Sequence, residues 1–137
     1  MIKASKRALQ VLLDGERFIR PWGFRVVSVR EGTCTISLPF RRNLERPGGI
    51  VNGPALMAAA DCAMWLAIKA KIGMERDALT SEMHTSFLTP AIRATVLCTA
   101  RILKHGRRRI YGVAECHSRG GKLYSHHTLT YVPLEPA

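Results

Sequence analysis

Acidic residues are scarce in this 137-residue chain. Ten Asp and Glu stand against 21 Lys and Arg, giving a formal net charge of +11. Aromatic residues make up only 7% of the chain, and no aromatic pattern accompanies the basic clusters Arg41-Arg42 and Lys104 to Arg109, as it would in a nucleic-acid-binding module. The four cysteines, Cys34, Cys62, Cys98 and Cys116, contain no Cys-x-x-Cys pair, so neither a zinc ribbon nor a redox motif is indicated, and a reducing, cytoplasmic compartment is expected. No Gly-x-Ser-x-Gly elbow supports a Ser-His-Asp triad. His84, His105, His117, His126 and His127 lack partners at ligand spacing, and no metal site is expected. The N-terminus has basic residues but no apolar h-region ending at a cleavage site, so no secretory signal is expected. No uninterrupted apolar run reaches the roughly 18 residues of a membrane span.

What the chain does have is 47% hydrophobic content, enough for one domain over residues 1–137 that buries about two-thirds of its unfolded surface. Lys3 to Leu13 carries Ala4, Ala8, Val11 and Leu12 near helical spacing, and Gly15 ends that short helix. Trp22 to Arg30 and Thr33 to Leu38 alternate with period two around Glu31-Gly32 and predict a hairpin. A Pro- and Gly-containing loop from Pro39 to Gly53 leads into an apolar helix that stops near Gly73. Four strand-like segments follow, Ala78 to Leu88, Thr95 to Lys104, Arg108 to Ser118 and Lys122 to Val132. Turns at His105-Gly106 and Arg119-Gly120-Gly121 make the last three an antiparallel meander. The order predicts an α+β fold: a curved antiparallel sheet wrapped around one long central helix, plus a short N-terminal helix.

One residue breaks the pattern. Between Pro54 and Ile68 everything is apolar or small except Asp61, and an isolated buried carboxylate costs several kcal/mol unless it is paired or hydrogen-bonded. Met57, Asp61, Trp65 and Ile68 share one stripe of the helix, while Ala55, Ala59, Ala63 and Ala67 form a smooth ridge. Two readings are open for Asp61: a polar anchor bonded to neighbouring backbone or an Arg, or an acid tuned for chemistry.

The stretches Gly49-Ile50-Val51-Asn52-Gly53-Pro54, Ala60-Asp61 and Ser86-Phe87-Leu88-Thr89-Pro90-Ala91 resemble the hot-dog fold thioesterases, in the subgroup similar to the phenylacetate-pathway acyl-CoA thioesterases. That subgroup carries a Gly-x-x-His-Gly-Gly loop opening a central helix, an acidic residue eight positions after the first Gly of the His-Gly-Gly triplet, and a strand ending in Phe-Leu-x-Pro-Ala. The Gly106-Arg107 turn and the closing strand through Thr130-Tyr131 also fit, so the resemblance covers almost everything after Pro21. Two departures stand out: Asn52 occupies the usual His position, and Pro54 that of the second Gly. Proline is compatible with a first helical turn.

The resemblance implies an acyl-CoA thioesterase that needs no cofactor, the coenzyme A moiety being part of the substrate. It assigns the Gly53 N–H to polarising the thioester carbonyl at a helix N-terminus, Asp61 to the role of general base or nucleophile, and Thr80 to holding the attacking water. Asn52 enters the site as the replacement for the family His. Asn43 could match an upstream Asn of the family, or could cap a turn. Eight residues of helix put Gly53 and Asp61 roughly 12 Å apart along the axis, too far for both to reach one carbonyl. Antiparallel helices across a two-fold axis would pair Gly53 of one subunit with Asp61 of the other, so a homodimer or dimer of dimers is expected. Lys104, Arg107 and Arg108 are candidates for the phosphates of coenzyme A, although a solvated basic turn fits them equally. Two other functions remain open: a non-catalytic acyl-CoA-binding hot-dog protein, consistent with Asn52, and, on charge alone, a nucleic-acid-binding protein.

Overall fold

The computed structural model describes residues 1–134, and the last three residues of the expected domain, 135–137, lie outside the described residues. Helix α1 (Lys6–Gly15) starts three residues later than its apolar spacing suggests, because Ser5 caps it by accepting the Ala8 amide at 3.1 Å. Its Leu9 and Leu13 are buried. Gln10 ties the helix to the sheet by accepting the Val26 amide at 2.7 Å and donating to the Phe24 carbonyl at 3.2 Å.

Strand β1 (Arg25–Arg30) also starts late, because Arg20–Trp22 form a 3-10 turn closed by Gly23 at φ +72°. It pairs with β2 (Thr33–Leu38) around Glu31-Gly32. The loop after β2 is more ordered than its Pro and Gly content suggests. It contains a 3-10 turn at Arg42–Leu44 and a miniature hairpin of β3 (Glu45–Arg46) and β4 (Ile50–Val51). Gly48 and Gly49, both at positive φ, make the hairpin's turn.

Helix α2 (Gly53–Ile72) is followed by β5 (Ala78–Phe87), β6 (Val96–His105), β7 (Ile110–His117) and β8 (Leu123–Pro133). The six long strands form one antiparallel sheet in the order β1-β2-β6-β7-β8-β5, which contains the expected meander β6-β7-β8. Bulges in β1, β5, β6 and β8 bend the ladder, and the sheet curves around α2, whose Ala55, Ala59, Ala63 and Ala67 are fully buried. This is the hot-dog architecture. Close approach of helix to sheet depends on Gly112 of β7, where a Cβ would lie 2.5 Å from both Met64 Cε and the Arg101 carbonyl oxygen. Gly112→Ala is therefore expected to destabilise the fold by about 1–3 kcal/mol through overpacking, read as a lower urea midpoint.

The wrap leaves one stripe of α2 uncovered. Pro54 and Met57 are exposed, and Ala58, Asp61 and Trp65 are half-buried, whereas Ile68, expected on the same stripe, is buried. Asp61 is thus not a buried carboxylate within a single chain; it sits at the opening in the wrap. No helix among the described residues is long and apolar enough to cross a membrane.

Candidate active site

Asp61 lies at the wall of a depression of about 300 Å³ on the uncovered stripe, together with Trp65, Thr80, Tyr131, Phe18 and Asp77. Three elements converge there. Thr80 of β5 and Tyr131 of β8 are direct cross-strand partners, and both reach the same carboxylate oxygen. The Thr80 hydroxyl donates to Asp61 Oδ1 at 2.6 Å and the Tyr131 hydroxyl donates to it at 2.6 Å. Tyr131 also lies 2.8 Å from the Asp61 backbone carbonyl, which accepts from it.

A bulge at Ser81 makes this arrangement possible. The ladder slips between Thr80 and Glu82, so Ala78 and Thr80 face the helix before the bulge, and Thr85 and Phe87 face inward after it. Thr85 then bonds to buried His127 at 2.8 Å, while His84 and Glu82 pair at 2.7 Å on the exposed face. Strict alternation would turn either Thr80 or Phe87 outward, because side chains alternate faces with period two.

Trp65 forms another wall and is held from behind. Its indole donates to Asp77 Oδ1 at 2.8 Å, and Lys69 Nζ lies 6.0 Å from the ring centroid. Lys69 is itself buried, donating to the Met74 and Arg76 carbonyls and pairing with Asp77 at 3.5 Å. Burial opposes the Asp77 charge, but the Trp65 indole, the Ala78 amide and Lys69 outweigh it and hold the carboxyl below its ordinary value.

Gly53 opens a different depression, of about 370 Å³, with Leu56, Phe87, Leu88, Pro90 and Tyr124. Asn52 is the N-cap of α2: its side-chain oxygen accepts the Ala55 amide at 2.8 Å and its side-chain nitrogen donates to the Leu44 carbonyl at 2.8 Å. Both functional atoms of Asn52 are engaged, so it positions the helix start. No group among the described residues accepts the Gly53 N–H. Phe87 packs so tightly on Gly53 that a Cβ there would meet the ring at 3.1 Å.

The structure brings Asp61 and Thr80 together and holds them apart from Gly53 in the single chain. Asn43 is exposed on its 3-10 turn and lines neither depression. Arg107 and Arg108 do not line the Asp61 depression either. They lie with Arg76, His105 and Ile72 around a third depression of about 570 Å³ at the C-terminal end of α2, and Lys104 is exposed near the same turn. Burial first, and then the cations Lys71, Arg76 and Lys3, push the His105 imidazole below its ordinary value, a measure of how positive this corner is. No set of three or more acidic, His or Cys side chains arranged to hold a metal occurs among the described residues, and the four cysteines are free and buried.

Tyr131 carries no signal in its immediate sequence. It could have been found by pairing two demands: a Tyr on the inward parity of β8 with His127 and Leu129 needs a partner for its hydroxyl, and Asp61 needs donors.

Comparison with known proteins agrees with this fold. The thioesterase superfamily profile matches residues 48–125, more than half of the chain. A candidate esterase of Thermoplasma acidophilum is 29% identical over 87% of this chain and 88% of its own length. A solved structure from Silicibacter, assigned as a thioesterase, superposes with a TM-score of 0.88 at 26% identity, covering 98% of this chain and 95% of that one. The Escherichia coli PaaI protein of the phenylacetic acid degradation operon shares the fold, with a TM-score of 0.84 at 16% identity over 93% and 91% of the two chains. With two α-helices and a six-stranded curved sheet among the described residues, and with this match, the chain belongs to the thioesterase superfamily of hydrolases.

Proposed function

We propose that the protein is an acyl-CoA thioesterase of the phenylacetate-pathway type, with each active site built from two chains. One observation carries the reading. The two functional groups sit on one uncovered helix stripe and its N-terminus, eight residues and roughly 12 Å apart along the axis, and they line separate depressions. Antiparallel apposition of two α2 helices, with Met57 near the two-fold axis, would face Gly53 of one chain with Asp61 of the other. Strand β5 supports this assembly: it is an edge strand of ten residues with exposed Leu79 and Phe87, and such an edge normally needs covering.

In this site the unpaired Gly53 N–H, at the positive end of the α2 dipole, donates to the thioester carbonyl oxygen as negative charge develops on it. Asp61 acts in one of two ways. As a base it takes a proton from water while the water oxygen bonds the carbonyl carbon; the C–S bond then breaks and the proton passes to the departing sulfur. As a nucleophile its oxygen bonds the carbonyl carbon and the C–S bond breaks, releasing the thiolate and leaving a mixed anhydride; water then hydrolyses the anhydride to the free acid and Asp61, whose carboxyl proton passes to the thiolate. The acyl group would lie against Trp65 and Phe18.

The cationic corner suits the nucleotide end of coenzyme A. Ile72 is eleven residues beyond Asp61, about 16 Å along the helix, a span of the order of an extended pantetheine arm. Release of free thiol from short, aromatic and long acyl-CoA esters tests the activity itself, and no release from any of them would overturn it. Neutralising Arg107 and Arg108 to Gln is expected to raise KM for acyl-CoA several-fold and to weaken its salt dependence, leaving a pantetheine thioester almost unaffected. Equal losses for both substrates would assign the turn a structural role.

A further inference from the structure

The Asp61 carboxylate is held asymmetrically. Two hydroxyl groups, Thr80 and Tyr131, donate to Oδ1 at 2.6 Å each, and no group among the described residues bonds Oδ2 of this carboxylate, whose residue lines the depression. Each hydroxyl has a single proton. With its proton on Oδ1, Thr80 can meet a water molecule only as an acceptor. Tyr131 does more than share the load, because the same hydroxyl also lies 2.8 Å from the backbone carbonyl of residue 61, so its one proton is shared in a three-centre bond that ties the carboxylate to its own backbone.

We infer that Tyr131 is a positioning residue: it locks the Asp61 rotamer and occupies Oδ1, leaving Oδ2 as the one oxygen that acts on water or on the thioester. The inference rests on the proposed role of Asp61 and holds for either mechanism. Tyr131 is suited to the task. Its ring is buried at 2% exposure, so it cannot swing away. Burial first, and then the Asp61 charge, push its phenol well above the ordinary value, so its proton stays in place throughout the working range. Glu16 and Asp77 are the other carboxylates lining the depression, and the Cys62 thiol is pushed up to about 12 by burial and by Asp61. A hydroxyl that always donates fixes the direction in which Asp61 presents its free lone pairs. Geometry of this kind is decisive when small misplacement of a reacting group costs large factors in rate.

Tyr131→Phe keeps the ring and removes only the bridge. The expected result is a kcat about tenfold lower or more, with KM changed less than twofold, and an acid limb of the pH–rate profile displaced to higher pH, since a donor to the charged form has been lost. Site-specific replacement of Tyr131 by 3-fluorotyrosine, a stronger donor of nearly the same size, should move that limb the opposite way and guards against a Phe variant that folds poorly. In an Asp61→Asn background, Tyr131→Phe should produce no further loss, because its effect passes through the carboxylate. If Asp61→Asn collapses turnover while both Tyr131 replacements keep wild-type kcat and pH profile, or if the losses multiply in the double variant, the positioning role is wrong. Full activity in Asp61→Asn alone would instead overturn the underlying role of Asp61.

Discussion

Replacing Asp61 by Asn is expected to lower kcat by about 10² or more, the usual scale of losing a general base or nucleophile, while the protein remains folded. The fold should survive for a stated reason. The amide oxygen of the replacement can still accept from Thr80 and Tyr131, which donate to Asp61 Oδ1 in the native chain, and its volume matches that of the carboxyl group. What disappears is the second oxygen. An amide nitrogen in its place is neither a base nor a nucleophile. KM should change little, because the carboxylate acts on the reacting atoms and not on the distant nucleotide. Thiol release and thermal unfolding, measured on the same preparation, check both halves; unchanged turnover would remove Asp61 from the mechanism.

Much of this architecture is legible in the chain before any coordinates. The run from Pro54 to Ile68, ended near Gly73, defines α2 because first-turn proline and terminal glycine agree with the apolar composition. Turns at Glu31-Gly32 and His105-Gly106 mark the hairpins for the same local reason. The illegible parts depend on tertiary packing. Nothing near Ser81 announces the bulge that lets Thr80 and Phe87 both face the helix. Gly112 looks like a weak point in a strand until the approach of Met64 accounts for it. Tyr131 reaches Asp61 only because the β5–β8 register pairs it with Thr80. The basic turn at Arg107 and Arg108 is easy to read as cationic, but its place at the far end of α2 follows from strand lengths that sequence patterns bound only to a few residues. Asn52 shows the converse. Viewed as a replacement for a family His it is a candidate for chemistry, while its bonds to Ala55 and Leu44 make it a helix cap.

The central claim, that a site takes Gly53 from one chain and Asp61 from another, makes a quantitative prediction for mixed assemblies. Gly53→Pro removes the N–H that would polarise the carbonyl. The substitution suits the extended Asn52 backbone before it (φ −66°, ψ 150°) and a first helical turn, at the cost of a small shift of Phe87 and of a second proline directly ahead of Pro54, so thermal unfolding of this variant alone verifies that it folds. An Asp61→Asn homodimer then lacks its acid in both sites, and a Gly53→Pro homodimer lacks its donor in both. In a heterodimer one site carries both defects and the other carries neither. Random reassociation of equal amounts should make half the dimers hybrid, each with one intact site, and so restore about a quarter of wild-type turnover. The most direct measurement is thiol release from an acyl-CoA ester by the refolded mixture, with hybrid formation verified by differently tagged chains. Activity near a quarter of wild type, from two parents that are each nearly inactive, is the predicted result. A mixture as inactive as its parents, despite demonstrated heterodimers, would contradict the shared site.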